Sequence, residues 1–206
     1  MLRNGTGEAG GSDLTQEAVC QATQQKRKTA RGWLTKYGAT IILAVLLVFI
    51  IRWKVVQPFY IPSSSMEPTL QRHDRIIVSK ISYVLGEPKR WDVVIFMEPG
   101  NHGRNFVKRV VGLPGEKVQL IAGEVYINGK HIEKPTHLRN ISYTHEGRWG
   151  TSRAVEIPEN SYYVLGDNSS RSNDSRCWAR PFVRRAEILG EAVGVAWPPG
   201  RAGRVH

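Results

Sequence analysis

Three consecutive serines, Ser63, Ser64 and Ser65, lie between Pro62 and Pro68. The prolines hold this segment extended and turn-like, so its hydroxyls sit on a short loop. A serine hydroxyl at its ordinary pKa is a weak nucleophile and needs a base within reach. Six histidines are present (His73, His102, His131, His137, His145 and His206). None falls in a recognisable triad pattern, and polar, loop-like surroundings mark them as surface residues. Lys108 is placed differently, inside the apolar run Phe106-Val107-Lys108-Arg109-Val110-Val111. Taken out of water, a lysine amine becomes easier to deprotonate, whereas an arginine keeps its charge. No acid occurs from Gly103 through Leu113, so no carboxylate close in sequence would hold the proton on. The competing reading is an edge strand whose exposed cations block aggregation.

A third polar segment covers residues 166–176 (GDNSSRSNDSR). It lacks the glycine at position six and the final glutamate of an EF-hand loop. It reads instead as a structural loop held by a pairing such as Asp174 with Arg176, and no metal or cofactor is expected. Only two cysteines occur, Cys20 and Cys177, with no Cys-x-x-Cys. That excludes a zinc ribbon and a disulfide-stapled mini-domain.

The serine loop, Lys108 and the 166–176 segment are far apart in the chain, and the elements between them read as strands. Residues 74–79 (DRIIVS) and 92–97 (DVVIFM) are short apolar runs bounded by polar residues and proline. Residues 105–111 form another, and 161–165 and 192–197 two more. In 123–132, Val125-Tyr126-Ile127 is followed by Asn128-Gly129, the strongest short hairpin signal. No helical period of comparable quality appears after Val56. The expectation is a mainly β domain over 57–206, with a small variable subdomain around 119–160.

Ahead of it, residues 37–51 carry no charge and are mostly aliphatic. Fifteen residues of helix span about 22 Å, short of a ~30 Å hydrocarbon core. Extension to Val56 suffices if Arg52 and Lys54 snorkel outward beside an interfacial Trp53. Residues 37–56 are therefore expected to be one transmembrane signal anchor, preceded by a tail over 1–36 that is disordered and then basic. Lys26, Arg27, Lys28, Arg31 and Lys36 precede the span and two cations follow it. This asymmetry leaves the N-terminus cytoplasmic and exports 57–206.

The composition of the 206-residue chain, 41% hydrophobic and 23% charged, excludes a disordered polyelectrolyte and a multi-span membrane protein. Its formal net charge of +11 leaves two partner classes, nucleic acid and an anionic membrane surface. The cations are dispersed along the chain, which disfavours nucleic acid.

Four segments carry a resemblance: residues 62–70 (PSSSMEPTL), 90–96 (RWDVVIF), 107–117 (VKRVVGLPGEK), and 166–168 with 172–176 (GDN and SNDSR). In kind and order, behind one anchor, they resemble the type I signal peptidase family, membrane-anchored serine/lysine endopeptidases of bacteria. The resemblance runs from the anchor to about Trp197 and implies a signal-peptidase/LexA-like β catalytic domain behind one N-terminal transmembrane helix. It implies that Ser65 is the nucleophile and Lys108 its general base, with Ser63 and the Ser65 backbone N–H forming the oxyanion hole. It places Ser172 as the hydroxyl orienting the lysine, and Asp174 and Arg176 as structural support. Phe59, Ile61, Met66, Leu70, Phe106 and Val107 are implied to line shallow substrate pockets.

The implied substrates are secretory preproteins cut after small-x-small sites at the outer face of the bacterial inner membrane, by a monomer in the lipid bilayer. One departure is Trp91, where the family usually has glycine, and residues 135–153 match no family segment. Two other readings compete. A LexA-like self-cleaving regulator would need a DNA-binding domain in place of residues 1–56. A basic, membrane-tethered binding module would have no peptidase activity.

Overall fold

In the computed structural model the described residues are 37–49, 55–84, 86–144 and 147–206. The tail over 1–36, with its five cations and Cys20, and Arg52, Trp53 and Lys54 lie outside them. Residues 37–49 form a helix. Its apolar side chains are exposed, Ile42 and Leu43 among them. Among the described residues, no helix is long and apolar enough to cross a membrane.

The compact unit that follows is built of antiparallel strands. They are β1 (Val56–Tyr60), β2 (Arg75–Ser79), β3 (Val93–Glu98), β4 (Asn101–Gly112), β5 (Lys117–Ile121) and β6 (Glu124–Ile127). There follow β7 (Lys130–His131), β8 (Val155–Glu156), β9 (Ser161–Leu165), β10 (Val183–Arg184), β11 (Ile188–Trp197) and β12 (Gly203–Arg204). The larger sheet has the order β1-β2-β11-β3-β4-β9-β10, with β12 paired to β11; the smaller has the order β7-β6-β5-β8. Val56, expected to end the membrane span, instead opens β1.

Sequence pattern explains which strands lie inside. Val93, Val94, Ile95 and Phe96 of β3 are buried on both faces, between β11 and β4. The five residues of β9 are likewise all buried. Continuous apolar runs of this kind suit strands covered on both sides. The β6–β7 turn has Asn128 at φ +53 and Gly129 at φ +77, the paired positive values that a type I′ hairpin requires. Three apolar clusters fill the interior. One lies around the smaller sheet, with Val118, Leu120, Tyr143 and Tyr163. Another lies under β1, β2 and β11, with Met66, Leu70 and Ile76. The third lies around Phe96, Val110, Val164 and Trp178.

One competing reading is overturned. β4 does not hold its cations in solvent: β3 flanks it along its length and β9 pairs with it from Arg109 onward, burying both Lys108 and Arg109. Trp91, which takes the place of a family glycine, sits at φ +77. This left-handed conformation costs roughly 1–2 kcal/mol for a residue with a Cβ. Three contacts offset it. The Trp91 N–H donates to Val110 O at 2.8 Å, its carbonyl accepts from Arg109 Nη1 at 2.6 Å, and its ring packs on the smaller sheet's core.

The two sheets meet where β4 passes Gly112. A Cβ there would lie 2.3 Å from Ile157 Cδ1 and 2.4 Å from Val118 Cγ2, both in packed surroundings. Gly112→Ala should therefore destabilise the domain by about 1–3 kcal/mol through overpacking, read as a lower urea midpoint. An unchanged midpoint would show that this junction is not closely packed.

Candidate active site

The serine loop is shaped by its backbone. Ile61 N–H donates to Asp74 O at 2.9 Å, Glu67 N–H to Ser64 O at 3.2 Å and Leu70 N–H to Met66 O at 2.8 Å. The loop is also held from across the fold. The Asn168 N–H donates to Ser65 O at 3.1 Å, and Asn168 Nδ2 to Ser64 O at 3.0 Å. Ser65 is thus fixed between its own turn and the 166–176 loop. Its hydroxyl oxygen lies 3.3 Å from Ser63 Oγ.

β4 delivers the second group. Lys108 Nζ donates to Ser65 Oγ at 2.7 Å and to Val107 O at 3.1 Å, with the residue only 4% exposed. Burial pushes its amine down from 10.5 to about 8. The carboxylates of Asp174 and Asp167 oppose that shift and the Arg176 guanidinium aids it. The acid-free stretch around Lys108 thus describes only its own strand, because the fold brings two acids from residues 166–176 to face it.

Arg109 is handled the other way. Its Nε and Nη2 bind the Asp167 carboxylate at 2.8 and 2.7 Å, and both side chains are fully buried. Thr69 Oγ1 donates to the same carboxylate. In the same loop, Arg176 pairs with Asp174 through Nε at 2.8 Å and Nη2 at 2.9 Å. Asp174 also accepts from Gly166 N–H at 3.0 Å. The expected Asp174–Arg176 pairing is therefore present; the Arg109–Asp167 pair was not anticipated.

Ser172 Oγ is buried without a hydrogen-bond partner among the described residues, and no bond joins it to Lys108 there. It packs against the backbone beside Ser65. A Cβ on Gly166 would lie 2.2 Å from Ser172 Oγ and 2.5 Å from Ser65 O, so only glycine leaves room there for the Ser172 side chain and the Ser65 carbonyl.

These groups open into a groove of about 520 Å³. Phe59, Ile61, Met66, Phe106 and Val107 line it with Ser63, Ser65 and Lys108. Leu70, expected in a pocket, does not. The Met66–Leu70 turn rotates it inward, where it is fully buried in the core under β1 and β2. Arg104, Asn105, Arg171 and Asn173 line the groove as well and were not foreseen. Among the described residues, β1 pairs only with β2, and before Arg109 β4 pairs only with β3. The groove is thus walled by two strands with unpaired edges. A larger cavity of about 710 Å³ lies between residues 158–161 and 180–186, but neither Lys108 nor any residue of the serine loop lines it. Among the described residues, no histidine lines the groove. His73 bonds Tyr60, His131 faces Glu124, and His137 packs at a tilt against His206.

A serine hydroxyl against a desolvated amine, in a groove edged by unpaired strands, has the makings of a serine endopeptidase. Residues 34–197 match the family model described as signal peptidase, peptidase S26. The signal peptidase I of Leptolyngbya laminosa is 42% identical over 173 residues, covering 81% of each chain. Signal peptidase I T of Bacillus subtilis is 35% identical, covering 90% of this chain and 96% of its own. A solved signal peptidase I from Enterococcus faecalis is 35% identical, covers 52% of this chain and 97% of its own, and has a TM-score of 0.41. The chain belongs to the signal peptidase S26 family and is a serine endopeptidase. That membership excludes the non-enzymatic binding module.

The displaced amine makes a stability prediction. Between pH 8 and the ordinary lysine value, the unfolded chain holds more protons on Lys108 than the folded one. Folding stability therefore rises with pH across that window, and the penalty for burying the amine is fully present below it. Lys108→Met removes the penalty. Its stability relative to wild type should be highest near pH 7 and decline by about 3 kcal/mol towards pH 10.5. Denaturation midpoints of the two proteins at several pH values check this, and a constant difference would contradict it.

Proposed function

We propose that this chain removes signal peptides from secretory preproteins, with Ser65 as nucleophile and Lys108 as general base. The observation that carries the reading is the 2.7 Å contact between Lys108 Nζ and Ser65 Oγ at the head of the groove. With the amine neutral, its lone pair accepts the hydroxyl proton while Oγ bonds to the scissile carbonyl carbon. The negative charge moves to the carbonyl oxygen. The Ser65 N–H and the Ser63 hydroxyl are the donors for that oxyanion, each worth about 10²–10³ in rate where such donors have been removed. The Lys108 ammonium then gives its proton to the leaving amine as the C–N bond breaks. A water, deprotonated by the same amine, releases the acyl group from Ser65.

Ser172 supplies a hydroxyl beside this machinery, and its unpartnered Oγ is free to orient the lysine amine once substrate excludes water. Asp174 and Arg176 hold the loop that carries it. The substrate binds as an extended segment between the unpaired edges of β1 and β4, where backbone hydrogen bonds supply affinity. Ile61 and Met66 are almost wholly buried, so the groove closes early beside Ser65, which favours small side chains at the cut site.

The uncharged run over 37–51, with the residues that follow it up to β1, anchors the chain in the bacterial inner membrane, as a monomer with one span. The five cations ahead of it keep the N-terminus cytoplasmic and the β domain outside.

The test is cleavage of a preprotein reporter by the full chain in detergent. Ser65→Ala should lose at least 10³-fold in kcat/KM. In the wild type, kcat/KM should rise with pH through about 8, the value to which burial lowers Lys108, because the neutral amine is the working form. Replacing each histidine singly should leave that rise in place. Retained cleavage in Ser65→Ala, or a rise abolished by a histidine substitution, would contradict the assignment.

A further inference from the structure

Two arginines open into the groove with no acid to meet them. Arg104 and Arg171 line it and are exposed, and neither forms an ion pair among the described residues. Among the described residues, no Asp or Glu lines the groove. The acids nearest in sequence to Arg171 are already committed, Asp167 to Arg109 and Asp174 to Arg176. A groove that takes up a peptide therefore meets it with cations alone along one rim, and their missing counter-charge has to come from the peptide.

We propose that Arg104 and Arg171 select preproteins carrying an acidic side chain a few residues from the bond that is cut. This rests on the reading of the groove as the substrate site. Strand geometry sets the distance. Arg104 stands four residues before Lys108 in β4. Residues 105–108 keep register with β3 and residues 102–104 bulge beyond them, so Arg104 lies past the roughly 10 Å of those three strand steps. A substrate strand running beside β4 has the same rise, so the side chain that Arg104 meets is about three to four residues from the scissile bond. Arg171 immediately precedes Ser172, whose hydroxyl abuts Gly166 and through it Ser65, so it guards the near end of the rim.

The spacing also suits the chemistry. An acid directly beside Lys108 would hold the proton on its amine and oppose the reaction. Roughly 10 Å or more away, and paired with an exposed guanidinium that offsets its charge, the same acid acts on the amine only weakly. The arginines thus gain an anionic partner without cost to the base. Because both guanidinium groups are exposed, the preference is modest and sensitive to salt.

The experiment uses the full chain in detergent and a set of peptides that contain one cleavable site. A single Asp, or Asn as its neutral match, is moved along positions one to six on either side of the bond. The quantity read is the ratio of kcat/KM for Asp over Asn, which is internal to each enzyme and cancels any general loss of activity. Wild type should show a ratio of about 2–5 about three to four residues from the bond on one side, falling towards one in high salt. Arg104→Glu should bring that ratio below one and make Lys the better residue there, while Arg104→Gln should bring it to one. Arg171→Glu should do the same nearer the bond. A ratio of one at every position, or a preference that survives in both glutamate variants, overturns the inference alone. Wild type that cleaves none of the peptides, or Ser65→Ala that cleaves them, overturns the reading of the site and the inference with it.

Discussion

Two adjacent cations on one buried strand are the constraint around which this domain is arranged. Lys108 and Arg109 stand side by side in β4, both paired to β3 and Arg109 also to β9, and both are buried, Lys108 at the wall of the groove. A charge in such a place must be paired or given up. Arg109 cannot give up its charge, and it is met by the bidentate carboxylate of Asp167. Breaking such a buried pair from one side typically costs 3–5 kcal/mol. Lys108 can lose its proton, and it is met instead by a hydroxyl. Opposite solutions at neighbouring positions leave one residue structural and the other reactive.

The 166–176 loop lets both solutions coexist. Asp167 answers Arg109, Asn168 holds the carbonyls of Ser64 and Ser65, and Asp174 braces Gly166 while paired to Arg176. One short polar segment therefore fixes the serine loop against β4, with the amine and the hydroxyl in contact. The same loop brings its acids close enough to raise the Lys108 pKa. Burial wins that competition because both acids are tied to arginines, which offsets much of their charge. The groove follows from the same arrangement: β9 joins β4 only at Arg109, so the strand ahead of it keeps a free edge for an extended substrate.

Much of this was legible in the sequence where the signal is local. β2, β3 and β9 announced themselves as short apolar runs, Asn128-Gly129 marked its hairpin, and the unusual setting of Lys108 showed in its six-residue neighbourhood. What escaped depends on contacts across the chain. Arg109 meets Asp167 over 58 residues of separation, and no spacing rule links them. Leu70 looked available for a pocket until the turn begun at Met66 carried it into the core. Trp91 could not have been placed at positive φ from its type, since the three contacts that hold it there come from β4 and the smaller sheet. The arginines on the groove rim looked like any other surface cations, because only the fold shows that no acid accompanies them.

Whether Lys108 is neutral where the chemistry needs it can be observed without reference to turnover. The full chain, labelled with 13C at the lysine Cε and held in detergent micelles, can be titrated by NMR, the Lys108 resonance being identified by its loss in Lys108→Met. That resonance should shift with a midpoint near 8, while exposed lysines titrate at about 10.4. A Lys108 that titrates with the exposed lysines would carry its charge at neutral pH, and the account of Ser65 activated by a desolvated amine would be wrong.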